Sequence, residues 1–111
     1  MTVMQSLLAI ADPTRRRIVE LLATRDHTAG ELVAEFDLSA PAISQHLNVL
    51  REAGLVTTRA EGQSRIQSLN PKGLDELAAW LNRTRRFWSS RLDALEAELK
   101  AEDAKNRKKS S

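Results

Sequence analysis

Apolar residues recur at helical spacing along five stretches of this chain, and two short segments between the fourth and fifth lack that period. Met4 to Ala11, carrying Leu7, Leu8, Ile10 and Ala11, predicts a short first helix. Asp12-Pro13-Thr14 reads as a helix start, with Asp12 as N-cap and Pro13 at the first helical position, its φ already set. The helix it opens buries Ile18, Leu21 and Leu22 and runs to about Thr24 or Arg25, leaving Asp26 and His27 to a loop. Thr28-Ala29-Gly30-Glu31 has the spacing of a capping box, in which hydroxyl and carboxylate satisfy amides reciprocally. Leu32, Val33 and Phe36 give the third helix its apolar side, and Asp37-Leu38 turns the chain into the next.

The segment from Leu38 to Val56 is the most informative. Ser39 is a natural N-cap, and Pro41 is tolerated in a first turn whose amides have no partner. Ile43, Leu47 and Leu50 fall on one side as a buried stripe. At about 100° per residue the opposite side carries Pro41, Gln45, Asn48 and Glu52, flanked by Ala42 and Ser44. Gly54 suits the left-handed C′ position. The outward edge is small and uncharged at its N-terminal end, as suits a helix entering a major groove about 12 Å wide. A connection of about three or four residues between two such helices is that of a helix-turn-helix.

Leu55 to Ala60 and Arg65 to Leu69 flank Glu61-Gly62-Gln63-Ser64. Val56, Thr57 and Thr58 favour extended structure and Gly62 allows the positive φ of a tight turn, so a hairpin, a wing, follows the helix. The fold class is therefore mainly α with a small β-hairpin wing. Asn70-Pro71 caps and opens a last helix over residues 71 to about 100, with Leu74, Leu77, Leu81, Trp88, Leu92, Leu95 and Leu99 at spacings of three, four or seven. At 1.5 Å per residue that helix is on the order of 45 Å long. One small domain does not cover so long a stripe, and each leucine left in water forgoes roughly 1.5–3 kcal/mol, which predicts a second copy as partner. Asn82 to Arg86 is the weakest part of the pattern, a place for the helix to break. The expected division is a DNA-binding domain over residues 1–100, its last helix (71–100) serving dimerisation, and a disordered polar tail over 101–111.

Composition narrows this without deciding it. A chain of 111 residues, 41% hydrophobic and 29% charged, is of one-domain size and globular composition. The net charge of +2 is unevenly spread: residues 1–70 hold seven Lys/Arg against eight Asp/Glu, whereas 71–111 hold ten against seven. DNA affinity must then come from locally placed arginines and not from a basic body. The absence of cysteine excludes disulfides and thiolate metal sites. The opening MTVMQSLLAI lacks a basic n-region, and no apolar run approaches the ~20 residues of a membrane span, so the expected location is cytoplasmic, away from membranes.

ADPTRRRIVELL, TAGELVAEFDLSAPAISQHLNVLREAGLV and RAEGQSRIQSLNP, in unbroken order from residue 5 to about 72, resemble the ArsR/SmtB family of bacterial winged-helix repressors. The resemblance implies a homodimer built through the first and last helices, the fourth helix in the major groove of double-stranded DNA, and release on an inducing signal. Two departures stand out. The segment from Glu31 to Leu38 lacks the cysteines of the arsenic- and cadmium-sensing members, and residues 71–100 lack the histidines of the zinc-sensing ones. No metal or cofactor is expected, and the inducer is unassigned.

The expected DNA contacts are Ser39, Ala40, Pro41, Ala42, Ser44, Gln45 and Asn48 on the fourth helix and Arg59, Gln63 and Arg65 on the wing. Gln45 is the residue for a base edge, since an amide pairs bidentately with adenine. Asn48 stands where relatives often carry a basic residue, so a phosphate contact is lost there. Arg15, Arg16 and Arg17 cannot share one helical face, and some should pair with Glu20 or Asp12. His46 is read as partly buried and structural. The expected dimer interface is Leu7, Leu8, Leu77, Leu81, Trp88, Leu92 and Leu95. The function expected is a sequence-specific repressor, homodimeric on a pseudo-palindromic operator. Two alternatives remain open: a winged-helix module for protein contact, favoured by the net −1 of the first seventy residues, and a repressor with an apolar ligand pocket between its dimer helices. An enzyme is not expected, with two scattered histidines, no cysteine and no nucleotide-binding loop.

Overall fold

The computed structural model describes residues 2–109, in the order α1 (Val3–Ala11), α2 (Pro13–Thr24), β1 (His27–Thr28), α3 (Ala29–Ala34), α4 (Ala40–Glu52), β2 (Val56–Glu61), β3 (Ser64–Leu69) and α5 (Pro71–Lys109). Residues up to Ala78 form one compact unit and those from Ala79 onward another.

In the first unit local signals set the helix ends. Thr2 and Gln5 form a capping box on α1, Asp12 accepts from the Arg15 amide at 3.0 Å, and Thr28 with Glu31 forms the expected capping box on α3. Ile18 and Leu22 of α2, Leu32 of α3 and Ile43, Leu47 and Leu50 of α4 close on Leu55, Val56 and Leu77 as one core. Leu21 is only half-buried at its edge. Ser6 and Gln67, both buried, are hydrogen-bonded, and no buried side-chain polar atom among the described residues lacks a partner.

The sheet is three-stranded and antiparallel, in the order β1-β3-β2. A hairpin alone is expected from the pattern, and His27 is expected in a loop. Instead His27 pairs with Gln67 and Thr28 with Ile66, and the His27 ring is buried with Nδ1 2.8 Å from the Arg25 carbonyl oxygen. A two-residue strand is too short for any period to show. In the hairpin Glu61 pairs with Ser64, leaving Gly62 and Gln63 as the turn. Gly62 has φ 61° and, among the described residues, no non-glycine residue has positive φ, the pattern of a type II′ turn, whose twist matches that of the strands.

The last helix settles one point the sequence leaves open and departs from expectation in two others. It runs unbroken through Asn82–Arg86, the weakest part of the apolar pattern, because nothing there removes a backbone donor. It continues to Lys109, where the sequence predicts a disordered tail; Ala, Glu and Lys are strong helix formers. Ser110 and Ser111 lie outside the described residues. Asn70 precedes the helix, but its Nδ2 donates to the Gly54 carbonyl oxygen at 2.8 Å, tying the start of α5 to the end of α4.

Candidate nucleic-acid interface

The helix α4 is held from behind and bare in front. Ile43, Leu47 and Leu50 are buried, while Ser39, Ala40, Pro41, Ser44, Gln45 and Asn48 are exposed and Ala42 is half-buried. All seven residues expected there to touch DNA therefore lie on or beside one open edge. Ser39 Oγ accepts from the Ala42 amide at 3.3 Å, and no acidic residue occupies the first turn. The positive end of the helix dipole is thus left unneutralised beside that edge. Gly54, at φ 78°, ends the helix and turns the chain into β2.

The turn from α3 into α4 covers residues 35–39, slightly longer than the spacing predicts, because α3 stops at Ala34 and leaves Phe36 beyond it to pack on the core.

An arginine that the sequence does not single out ties the wing to α4. Arg51 Nη1 donates to Thr58 Oγ1 at 2.9 Å and to Gln67 Oε1 at 3.2 Å, and its Nη2 donates to Asn48 Oδ1. Thr58 Oγ1 donates to the same Gln67 oxygen at 2.7 Å. Gln67 is 2% exposed, so this cluster links the outer edge of α4, through Asn48, to the buried face of the hairpin. Its only sequence trace is the three-residue step from Asn48 to Arg51.

The wing residues are less alike than their spacing implies. Successive strand residues face opposite sides, and Arg59 pairs with Ile66 whereas Arg65 pairs with Ala60. Arg65 therefore shares a face with Thr58 and Gln67, on the side that Arg51 of α4 contacts, and Arg59 lies on the other face. Arg65 and Gln63 are exposed. Arg59 is exposed too but engaged: its Nη1 lies 3.0 Å from Asp26 Oδ2 and 3.0 Å from Ser68 Oγ, and its Nη2 lies 3.5 Å from Glu61. The hydrogen bond from Arg59, with another from Ser68, holds the Asp26 carboxyl below the usual carboxylate range.

Of the three consecutive arginines, Arg17 pairs with Glu20 at 3.7 Å, as expected. Arg15 turns inward: Nε donates to the Ala9 carbonyl at 2.6 Å and Nη2 to that of Leu8 at 3.2 Å, where α1 ends with unpaired carbonyls. Its Nη1 also stands 3.4 Å from His46 Nδ1, and Asp12 Oδ2 lies 3.9 Å from that nitrogen. His46, partly buried as expected, thus helps to join α1, α2 and α4. Asp12 is held below its ordinary pKa, chiefly by the Arg15 amide. Among the described residues no cluster of three His, Asp or Glu side chains is arranged to hold a metal, and no helix is long and apolar enough to cross a membrane.

The expected dimer residues divide. Leu77 is 6% exposed and spent on this chain's own core, so it is not free for a partner; Leu7 is half-buried against that core. Leu8, Leu81, Trp88, Leu92 and Leu95 are exposed.

A helix-turn-helix whose second helix presents an open edge, followed by a two-stranded wing, is a winged-helix DNA-binding domain of the kind carried by transcriptional regulators. The profile of the bacterial regulatory protein arsR family matches residues 12–58. The transcriptional repressor SdpR of Bacillus subtilis is 42% identical over 73 residues, covering 66% of this chain and 81% of that protein. An HTH-type transcriptional regulator of Mycobacterium tuberculosis is 46% identical over 84 residues, 76% of each chain. Among solved structures, a possible transcriptional regulator for arsenical resistance superposes with a TM-score of 0.68 at 48% identity, covering 83% of this chain and 93% of that one. The chain belongs to the ArsR family: it is a DNA-binding transcriptional regulator, in a family whose members typically act as dimers.

Proposed function

We propose that this regulator is a repressor that binds a pseudo-palindromic operator as a homodimer, with α4 in the major groove and the wing alongside. The open, uncharged edge of α4 from Ser39 to Asn48 is the observation that carries the reading. Gln45 contributes base recognition, Ser39, Ser44 and the Ala40–Ala42 face lie against backbone or thymine methyl, and Gln63 and Arg65 reach phosphate. SdpR and the arsenical resistance operon repressor of Staphylococcus xylosus, 36% identical over 69 residues, are named repressors, which supports the direction of control. The exposed apolar side chains of Leu8, Leu81, Trp88, Leu92 and Leu95 support a second copy as partner.

Binding to duplexes drawn from the DNA next to its own gene, followed over a salt series, tests the groove reading. A selected duplex should bind more tightly than a scrambled one, and affinity should fall steeply with salt. Equal, salt-insensitive binding to both would defeat it and leave the protein-contact module. Transcription in vitro from the bound promoter should fall as protein is added; a rise would overturn the repressor assignment.

A further inference from the structure

Gln45 and Asn48 stand one turn apart on the open edge of α4 and both carry an amide, yet the two are held differently. Gln45 makes no hydrogen bond among the described residues, so both ends of its amide are free to meet a base. Asn48 is engaged, because Arg51 Nη2 donates to its Oδ1. A guanidinium has five N–H donors and no acceptor, so the oxygen of that amide, and not its nitrogen, must face Arg51. Arg51 is itself fixed from the hairpin side. Its Nη1 donates to Thr58 Oγ1 at 2.9 Å and to Oε1 of the buried Gln67 at 3.2 Å, so β2 and β3 set where the guanidinium lies. The Asn48 Nδ2 amino group, on an exposed side chain, is left with no partner among the described residues.

We propose that Arg51 locks Asn48 as a donor-only reader, which selects guanine in the major groove on a base pair next to the one that Gln45 reads. The inference rests on the groove reading above. Guanine presents two neighbouring acceptors in that groove, N7 and O6, and the two N–H bonds of Nδ2 serve them. Adenine keeps N7 but sets an amino group where guanine has O6, so it meets the Asn48 amino group donor to donor. The usual amide answer to adenine, accepting from N6 while donating to N7, needs the oxygen that Arg51 holds. The positive guanidinium beside that oxygen also repels an incoming amino donor, on cytosine as on adenine. Thymine offers O4 alone. The three-residue step from Gln45 is about 4.5 Å of helix rise against about 3.4 Å per base pair, which sets the two readings on adjacent base pairs. Arg51 touches no base in this arrangement. It is a positioning residue, through which the strands of the wing govern what α4 reads.

A duplex selected from a random pool by the full chain, then substituted one base pair at a time in competition binding, tests this. The wild type should prefer guanine to adenine about tenfold at one base pair, beside the one that depends on Gln45. Asn48→Ala should flatten that preference and leave binding to random duplex as it was. Arg51→Ala should lower it as well, by freeing the amide to turn, and should change nothing at that base pair once Asn48 is already alanine. That dependence separates positioning from mere support, because a loss of stability weakens binding to every duplex alike. Uniform weakening by Asn48→Ala would make the residue a phosphate contact and overturn the proposal, as would a preference for adenine at that base pair. A guanine preference that survives Arg51→Ala would overturn the locking by Arg51. Each of these results leaves α4 in the groove, whereas a wild type that selects no sequence at all would defeat the groove reading and this inference together.

Discussion

Gly73, in the first turns of α5, is pressed against Gly54, the residue that ends α4: a β-carbon on Gly73 would lie 2.8 Å from the Gly54 carbonyl carbon and closer still to its oxygen. That carbonyl also accepts from Asn70 Nδ2, and the Asn70 amide donates to the Leu55 carbonyl at 2.8 Å. The exit of α4 and the entry of α5 are thus a single close-packed joint. Gly73→Ala should force it open and destabilise the first unit by about 1–3 kcal/mol, the range for inserting a methyl into packed structure. Chemical denaturation checks this, and an unchanged midpoint would mean that the joint yields freely.

Gln45 is exposed on α4 with only small neighbours along the same edge. Gln45→Ala should cost on the order of 1–3 kcal/mol of specific operator binding and relax discrimination at one base pair, while binding to random duplex stays as it was. Competition binding on operators substituted one base pair at a time reads both. Uniform weakening across sequences would instead make Gln45 a phosphate contact.

Arg51 separates a supporting role from a contact. Removing it as Arg51→Ala takes one donor from the buried Gln67 oxygen, but Thr58 still donates there. The loss of stability should therefore be about 1 kcal/mol, the low end for a buried acceptor. Because its guanidinium is spent on Thr58, Gln67 and Asn48, the salt dependence of DNA binding should keep its slope. A slope reduced by about one unit would show that Arg51 meets a phosphate.

These three residues also show what could be read from the chain alone. The N-caps Asp12 and Ser39, the capping box of Thr28 with Glu31, the stripe Ile43, Leu47 and Leu50 and the turn glycines Gly54 and Gly62 are local devices, decided within four residues of themselves, and all were legible. What was not legible is long-range. Nothing in the spacing joins Arg51 to Gln67, turns Arg15 onto the carbonyls of Leu8 and Ala9, or brings Asp26 to Arg59 across 33 positions. The same limit explains Leu77. A helical period reports a stripe, but which part of the stripe its own domain covers depends on how α5 meets the core.

Glu31 sets an acid-sensitive contribution to stability. Hydrogen bonding from the Thr28 amide, and then from the Arg25 guanidinium, lowers its pKa from 4.5 to about 2. A carboxyl depressed in the folded state stabilises it fully above the unfolded value, and that contribution is lost as pH falls from about 4.5 through about 2. Glu31→Gln keeps an acceptor for the Thr28 amide but not the charge. Thermal melting should show the wild type ahead of the variant at neutral pH, with the gap closing through that window. A constant gap down to pH 2 would place the effect elsewhere.

Asp26 restrains the arginine expected to reach DNA from the outer face of the wing. Arg59 is held at 3.0 Å by Asp26 and again by Ser68, so a phosphate must displace an existing carboxylate to engage it. Asp26→Asn removes the competing charge and leaves a side chain of the same shape. If Arg59 meets a phosphate in the complex, the variant should bind all duplexes more tightly and with a steeper salt dependence, because one more cation is free to displace counterions. Arg59→Gln in the same background should then abolish the gain. If instead Arg59 serves only to hold the wing to the strand of His27 and Thr28, Asp26→Asn will leave affinity and salt slope alone. DNA contacts from the wing would then reduce to Gln63 and Arg65.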